Sequence, residues 1–303
     1  MQNRRVFVKQ MAAATALASM GGLSLSACAQ AKSKKITILH TNDVHSQIDP
    51  LPTNHYKFPG LGGFARRASL IDQKRKENPN TLLLDAGDIF QGTPYFNFYG
   101  GELEFKLMSK LKYDVATIGN HDFDNGINGL LAQMPHATFE FVSANYDFSK
   151  TDLSEFVKPY KVIIKEGVKI GVFGLGVALE GLVSKKLYKE TKYLDPIDIA
   201  QEMVKVLKNE HKCDLIICLS HLGYSYKSDK VSDLVLAKAT QDIDLIIGGH
   251  THTVLEAPVQ IQNAINKPVL INQCGKSGVY MGQIDFYLDN NEKVSAAGRT
   301  IVV

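Results

Sequence analysis

Five short apolar runs in this chain are each followed at once by residues of the kinds that bind metal ions. The runs have the length and composition of buried strands and span 36–39, 81–84, 114–118, 215–219 and 243–247. The residues that follow them are Asp43 with His45, Asp88, Asn120 with His121, His221, and His250 with His252. In an open α/β sheet, the carboxyl ends of neighbouring strands form one rim where ligands bind. The chain is therefore constrained to a fold that gathers these side chains at one rim.

Strand and helix patterns alternate along most of the chain, and strands alone occupy its last part. An apolar stripe predicts a helix near 62–77, and Asp195 as the N-cap before Pro196 predicts another over 196–210. The segment 268–303 reads as three strands. Alternation followed by a run of strands predicts the α/β class and a layered sandwich rather than a plain Rossmann sheet. No stretch within 36–303 reads as a linker, so we expect one domain there.

The first 27 residues have the features of an export signal. Arg4 and Arg5 begin a segment similar to a twin-arginine signal, and the small-residue stretch after it is too weakly apolar to span a membrane. Residues 25–28 resemble a bacterial lipobox, in which Cys28 becomes the lipid-bearing first residue. We therefore expect a signal over 1–27, a tether over 28–35, and a periplasmic or cell-envelope location with a lipid anchor at Cys28. A plain secretory signal with an incidental cysteine is the alternative.

The charge balance gives no sign of a nucleic-acid partner. The chain has 34 basic and 31 acidic residues, but Arg4, Arg5 and Lys9 lie in the expected signal, which leaves 31 of each sign. Nucleic-acid binding needs lysine and arginine clustered on one face, and the sequence has no such cluster. The cysteines after Cys28 are odd in number, and we expect buried free thiols at Cys213, Cys218 and Cys274.

The side chains at the strand ends define the chemistry of the expected site. Aspartate, asparagine and histidine offer oxygen and nitrogen ligands, which suit Zn, Mn or Fe rather than a thiolate site. Asp43 and His45 are two residues apart, so on a regular strand they would face the same side, and His250 and His252 share that spacing. Asp88 is then the natural carboxylate to bridge two ions. Two such ions can clamp a phosphoryl group and activate water.

In this order, the motifs resemble the signature of the calcineurin-like metallophosphoesterases, and within them the bacterial 5′-nucleotidase group. The resemblance rests on Asp-x-His, Gly-Asp, Gly-Asn-His-Asp, a lone His and Gly-His-x-His at 43–45, 87–88, 119–122, 221 and 249–252. It covers nearly all of residues 36–303. It implies an α/β/β/α sandwich of the metallophosphoesterase type, with the active site at the carboxyl-end rim of the strands.

The resemblance also implies two divalent metal ions, with Zn, Mn or Fe as candidates, and a role for each matching residue. One ion would be held by Asp43, His45, Asp88 and His252. The other would be held by Asp88, Asn120, His221 and His250, with Asp88 as the bridge. His121 would stabilise the phosphoryl charge or protonate the leaving oxygen, and Asp124 would orient His121. Asn120 would also contact a phosphate oxygen of the substrate.

The activity implied by the resemblance is hydrolysis of a phosphate ester, with a nucleotide as substrate, through attack by metal-bound water or hydroxide. Members of this group usually continue into a second domain that selects the nucleotide, and this chain stops at Val303. We therefore interpret it as the N-terminal catalytic domain, with a separately encoded second domain as a candidate partner. The alternatives are a 2′,3′-cyclic phosphodiesterase, a thiosulfohydrolase-like sulfur-ester hydrolase, and a non-catalytic metal-binding subunit that docks a second domain.

Several residues beside the motifs fit structural roles better than chemical ones. Asp122 and His40 are expected to support the site from behind, and Arg66 and Arg67 read as part of a solvated helix face. Aromatic residues in the loops that flank the rim read as loop anchors rather than substrate contacts, namely Tyr56, Phe58, Tyr188 and Tyr193.

Overall fold

Residues 33–303 are the part of the chain that the computed structural model describes. The expected signal and the expected lipidation site Cys28 lie outside the described residues. The first strand begins at Lys34, so Lys34 and Lys35, which we expected in the tether, pair with a neighbouring strand instead. Within the described residues, we find no helix with the length and apolar character needed to cross a bilayer.

The strands are numbered along residues 33–303. They are β1 (Lys34–Thr41), β2 (Thr81–Asp85), β3 (Val115–Ala116), β4 (Glu140–Val142), β5 (Tyr146–Asp147), β6 (Val157–Lys158), β7 (Tyr160–Lys165), β8 (Val168–Gly176), β9 (Lys192–Tyr193), β10 (Leu215–His221), β11 (Leu245–Gly248), β12 (Val259–Gln262), β13 (Pro268–Asn272), β14 (Tyr280–Asp289) and β15 (Glu292–Val302).

The helices of the same region are fewer. They are α1 (Phe64–Glu77), α2 (Pro94–Tyr99), α3 (Glu102–Lys110), α4 (Gly126–Gln133), α5 (Lys185–Tyr188), α6 (Pro196–Lys205) and α7 (Asp233–Ala239). Short 3₁₀ turns occur at His121–Phe123, Met134–His136 and Asp152–Glu155, and a π turn at Val206–Glu210 extends α6.

Two sheets carry the fold. The first has the strand order β15-β14-β1-β2-β3-β4-β6, and the second has the order β12-β13-β11-β10-β8-β7. Neighbours are parallel from β1 to β6 in the first sheet and from β13 to β8 in the second, with antiparallel strands added at the edges. Strands β5 and β9 form a separate antiparallel pair. Parallel strands that run together bring their carboxyl ends to one rim.

Apolar side chains hold the sheets face to face and hold the helices on the outside. The core between the sheets contains fully buried residues of both, such as Ile38 and Leu84 from the first and Ile217 and Ile247 from the second. Alternate residues face the other way, as side chains on a strand must. They pack against α1 to α4 on the first sheet and against α6 and α7 on the second. The predicted α/β/β/α sandwich is therefore confirmed.

Most of the predicted elements are confirmed, and the differences have local causes. The side chain of Asp195 caps α6 by accepting the N–H groups of Ile197 and Asp198, as predicted. The α-helix ends at Lys205, and a wider π turn continues the helical segment to Glu210. The short elements α2, β12 and the β5–β9 pair were not predicted, because such short segments carry too little periodicity.

The expectation that Arg67 lies on a solvated face is wrong. Arg66 is exposed, but Arg67 is fully buried, and its guanidinium lies 4.4 Å from the centre of the Phe64 ring. Phe64, Arg67 and Ile71 follow the three-to-four-residue spacing of one helix face, so the helical period itself placed Arg67 against the sheet. The guanidinium also lies against Gly278, where a larger residue would collide with it.

Candidate metal centre

The expected site residues all lie at or just beyond the carboxyl ends of strands, at one rim shared by both sheets. The first sheet supplies Asp43 and His45 after β1, Asp88 after β2, and Asn120 and His121 after β3. The second sheet supplies His221, the last residue of β10, and His250 and His252 after β11. The site is therefore built where the two sheets meet, and neither sheet contains a complete set of donors.

One group of donors consists of Asp43, His45 and His252. The Nε2 atoms of His45 and His252 are 3.0 Å apart, and the Oδ1 atom of Asp43 is 3.4 Å from His252 Nε2 and 3.9 Å from His45 Nε2. One ligand atom from each residue lies within 4.8 Å of the others. Three donors that converge on one point in this way can hold a single cation.

A second group consists of Asp88, His221 and His250, again within 4.8 Å of one another. The Oδ2 atom of Asp88 is 3.0 Å from His221 Nε2, and Asn120 Oδ1 is 2.8 Å from His250 Nδ1. The same Asp88 oxygen is 3.9 Å from His45 Nε2 in the first group. Asp88 therefore lies between the two groups, and Asn120 lies at the edge of the second.

The backbone at these positions takes a conformation that side chains rarely adopt. The φ angles are 50° at Asp43, 52° at His45, 55° at Asp88, 69° at His250 and 53° at His252. We had expected strand alternation to place Asp43 and His45 on the same side. Strand β1 ends at Thr41, so the left-handed backbone conformation, and not strand alternation, brings the two side chains to one side. Left-handed residues are costly and tend to cluster at functional sites.

Hydrogen bonds hold the donors in place from behind. The Nδ1 atom of His221 lies 2.7 Å from the carbonyl oxygen of Ala86, which leaves Nε2 directed at Asp88. The side chain of Asn42 donates to Asp43 Oδ2 at 2.6 Å, and the backbone N–H of His250 donates to both carboxylate oxygens of Asp43. Ligands oriented by such outer contacts are a regular feature of metal sites in proteins.

Asp122 joins the two loops that carry the site. Its buried carboxylate accepts the backbone N–H groups of Asp88, Ile89, Phe90 and Gly119 at 2.8–3.0 Å. The loop after β2 and the loop after β3 are thereby fixed to each other through one side chain. This arrangement agrees with the expected supporting role of Asp122.

We expect the Asp122→Asn variant to lose about 3 kcal/mol of unfolding free energy, because the amide replaces an acceptor with a donor that faces buried N–H groups. Urea denaturation followed by circular dichroism measures this loss. The control is Asp72→Asn, which removes an exposed ion pair with Lys76; its effect should stay within about 0.5 kcal/mol. Equal stability of the two variants would contradict the role assigned to Asp122.

The electrostatic field of the donor set favours a cation. Burial alone would raise the pKa of Asp88, but the neighbouring imidazoles, His221 foremost, hold it well below its usual range. Burial alone would lower the pKa of His221, yet Asp88 raises it to about 10, with a smaller contribution from Asp43. A buried imidazole that binds a proton so strongly lies in a strongly negative field. The residues present therefore fit divalent ions, and the two groups imply divalent metals.

His121 and Asp124 form a pair at the open side of the centre. His121 Nδ1 is 2.9 Å from Asp124 Oδ2, the His121 ring centre is 5.3 Å from that of His45, and the His121 N–H donates to Asp88 Oδ1 at 2.8 Å. The side chain of His121 is 39% exposed, so its free Nε2 can meet a ligand from solvent. The hydrogen bond to Asp124 raises the pKa of His121, although partial burial opposes it.

Two buried carboxyl groups near the rim were not predicted from the sequence. Asp85 accepts the hydroxyl of Thr41 at 2.5 Å and the N–H of Gly87 at 2.9 Å, and burial raises its pKa to about 7. Asp233 accepts the hydroxyl of Ser220 at 2.5 Å, and burial raises its pKa to about 8. Asp85 directly continues an apolar run, and its burial could have been predicted from that position. The sequence around Asp233 gave no comparable indication of burial, because Asp233 follows a serine that is an ordinary helix N-cap.

The loop aromatics differ in exposure and in packing. Tyr56 is 92% exposed, Phe58 packs on Tyr280, and the Tyr193 ring centre lies 6.3 Å from that of the buried Tyr146. Within residues 33–303, no hydrogen bond or ring contact joins the four aromatics to either donor group.

Comparison with known proteins agrees with this geometry. Residues 36–254 match the family described as calcineurin-like phosphoesterase. The trifunctional nucleotide phosphoesterase protein YfkN of Bacillus subtilis is 33% identical over 286 residues, which cover 84% of this chain and 18% of that protein. A 5′-nucleotidase of Vibrio cholerae is 32% identical over 313 residues, which cover 95% of this chain and 55% of the relative.

A solved structure gives the same result. The crystal structure of a 5′-nucleotidase precursor from Thermus thermophilus matches with a TM-score of 0.81 and 33% identity, covering 89% of this chain and 55% of that one. The chain spans about half the length of the Vibrio and Thermus relatives and a smaller share of YfkN. Both donor groups lie inside the matched residues 36–254. This chain belongs to the calcineurin-like phosphoesterase family.

Proposed function

We propose that the protein hydrolyses phosphate esters of the nucleotide class, as a 5′-nucleotidase-like enzyme that uses two divalent ions, with Zn, Mn or Fe as candidates. The observation that carries the proposal is the position of Asp88 between two Asp/His groups, with the His121–Asp124 pair at their open side. The names of the relatives support a nucleotide as substrate.

In this proposal, Asp43, His45, Asp88 and His252 hold one ion, and Asp88, Asn120, His221 and His250 hold the other. When bound, the ions supply positive charge to the phosphoryl oxygens and make water more acidic. His121 places its Nε2 beside the ester and donates a proton to the leaving oxygen. Asp124 holds the His121 ring in orientation through Nδ1. The Asn120 side chain, at the edge of the second group, contacts a phosphate oxygen.

The pH dependence of turnover should reveal the hydrogen-bonded pair of His121 and Asp124. Since Asp124 raises the pKa of His121, the imidazole stays protonated to higher pH than an ordinary histidine. A step that needs protonated His121 is therefore lost as the pH rises through that raised value. Asp124→Asn should move the alkaline fall of kcat to lower pH and reduce kcat at its optimum by roughly tenfold or more.

A kcat profile across the neutral and alkaline range measures this shift. The control is Asp152→Asn, which changes a carboxylate on a 3₁₀ turn away from the rim motifs. An alkaline limb that stays in place in Asp124→Asn would rule out the pairing as the source of the pKa.

Phosphate release by the purified chain, loaded with Mn or Zn, tests the proposed activity. The substrates are AMP, a 2′,3′-cyclic nucleotide and an aryl phosphate. Rapid hydrolysis of AMP supports the nucleotidase function. Preference for the cyclic ester would replace it with the phosphodiesterase alternative. No release from any substrate by protein with two bound ions would overturn it in favour of a sulfur-ester hydrolase or a non-catalytic subunit, and hydrolysis of an S-sulfonated thiol distinguishes these two.

The cellular setting is proposed on separate grounds. The signal over 1–27 and the lipobox ending at Cys28 support export and a lipid anchor on the periplasmic or cell-envelope side. Metabolic labelling with a radioactive fatty acid tests the anchor: incorporation that persists in Cys28→Ser would exclude Cys28 as the site.

A further inference from the structure

A polar pair takes the place of an apolar one where β1 and β2 end. Leu39 and Leu83 are register partners on these strands and pack in the core on the helix side of the first sheet. Two residues further along, Thr41 and Asp85 are again partners on that face, since side chains on a strand alternate. Both are 1% exposed, so their polar atoms need partners inside the protein. Apolar packing therefore does not explain why this pair is polar.

The hydrogen bonds around Asp85 run in one direction. The hydroxyl of Thr41 donates to Asp85 Oδ2 at 2.5 Å, and the backbone N–H of Gly87 donates to Asp85 Oδ1 at 2.9 Å. The hydroxyl oxygens of Tyr113 and Thr41 are 2.8 Å apart. Because a hydroxyl has one proton and that of Thr41 goes to Asp85, Tyr113 is the donor in this contact. Tyr113, Thr41 and Asp85 thus form a hydrogen-bonded chain that ends at the backbone of Gly87.

Gly87 connects this hydrogen-bonded chain to residues of both donor groups. Its carbonyl oxygen accepts the N–H of Asp43 at 2.9 Å, and Gly87 directly precedes Asp88. A Cβ atom at Gly87 would lie 2.6 Å from the backbone nitrogen of Gly119 and 3.0 Å from His221 Nδ1, so the Gly87 backbone also passes close to the second donor group. The position of Gly87 therefore determines where Asp43 and Asp88 present their carboxylates.

We propose that Asp85 is a positioning residue for the metal centre, and that the hydrogen-bonded chain holds it in place. Asp85 belongs to neither donor group. By fixing Gly87, it sets the distance between the carboxylate of Asp43, which lies in the first group, and that of Asp88, which lies between the two groups. This inference rests on the proposed two-ion site and not on the identity of the substrate.

Manganese binding in the absence of substrate tests the proposal. Thr41→Val removes the hydroxyl and keeps the shape, so it should raise the dissociation constants of both Mn²⁺ ions by roughly tenfold or more, as is usual for residues that support metal ligands from behind. Thr41→Ser keeps the hydroxyl and should restore most of the affinity. Tyr113→Phe leaves the bond between Thr41 and Asp85 intact and should cause a smaller loss. Competition with a fluorescent chelator measures these constants.

The matched control is Thr240→Val. Thr240 is also 1% exposed, and its hydroxyl donates to the carbonyl oxygen of Leu236 at 2.8 Å. It caps the carboxyl end of α7 and precedes the amino end of β11, so it lies away from the rim. Urea denaturation compares the stabilities of the two valine variants. Manganese affinity should fall in Thr41→Val and stay at the wild-type value in Thr240→Val.

Unchanged affinity in Thr41→Val, or an equal fall in Thr240→Val, would overturn the proposal. A loss that Thr41→Ser does not restore would also overturn it, because the hydroxyl would then not be the responsible group. The EPR spectrum of fully loaded protein gives a second readout, since the magnetic coupling of two Mn²⁺ ions depends on their separation and on the ligand that they share. The coupling should differ between Thr41→Val and wild type, and identical coupling would refute the positioning role.

These measurements are independent of turnover. If the wild-type chain releases no phosphate from any ester but the manganese affinities and the coupling change as expected, the proposed function fails and the positioning role of Asp85 stands. If the chain is active but the two readouts do not change, the proposed function stands and the positioning role fails.

Discussion

Replacing His121 with alanine should lower kcat by roughly 10²–10⁴-fold, the usual contribution of a positioned proton donor. The side chain of His121 is 39% exposed and bonds to Asp124, while its backbone N–H, which the substitution keeps, is the group that contacts Asp88. The metal content of the variant should therefore equal that of the wild type. Steady-state kinetics and metal analysis by mass spectrometry on the same preparation measure both quantities.

His136→Ala is the control for this prediction. His136 lies on a 3₁₀ turn after α4, and its side chain makes no hydrogen bond within residues 33–303, so kcat should be unchanged. Loss of metal from His121→Ala in proportion to the loss of activity would mean that His121 is a ligand, contrary to the role proposed for it.

Replacing Asp88 with asparagine should remove tight binding at both donor groups and lower kcat by roughly 10³-fold or more, which corresponds to several kcal/mol of activation free energy. Asp88 Oδ2 lies 3.0 Å from His221 and 3.9 Å from His45, which belong to different groups. A neutral amide keeps the shape of the side chain but gives up the charge shared by two cations. Metal stoichiometry after dialysis against a weak chelator measures the change.

The comparison variant is His252→Ala, which removes a donor from one group only. It should lose one ion and keep the other, whereas Asp88→Asn should lose both. If Asp88→Asn retains one tightly bound ion per chain, Asp88 serves a single group and the proposed bridge is incorrect.

The order of motifs along the sequence was sufficient to predict the fold class and to bring the donors together. Asp88 and His221 are far apart in sequence, yet each follows an apolar run, and the rule that parallel strands end at one rim places them side by side. The same rule does not predict the direction in which each donor side chain points. Asp43 and His45 converge because their backbone φ angles are left-handed, and the alternation of residue types along a strand cannot predict such angles.

Buried polar groups were the least predictable part of the molecule. Asp122 was expected to be structural, but the four N–H groups that it accepts come from two different loops, and only the packed fold brings them together. Arg67 was misassigned because a charged residue on an apolar stripe is usually read as solvated, although its spacing from Phe64 and Ile71 marked it as buried. Tertiary contacts override the preference of one residue in such cases.

The division of donors between two sheets also governs when the centre comes into being as the protein is made. A growing polypeptide that has emerged from the ribosome only as far as β9 contains Asp43, His45, Asp88 and Asn120 but none of their partners His221, His250 and His252. The contacts that close the site, such as His45 with His252, span 207 positions, and non-local contacts of this kind slow folding. Each donor group is therefore complete only after the chain has been synthesised beyond β11, and neither group is complete while the parallel strands of the first sheet are being made.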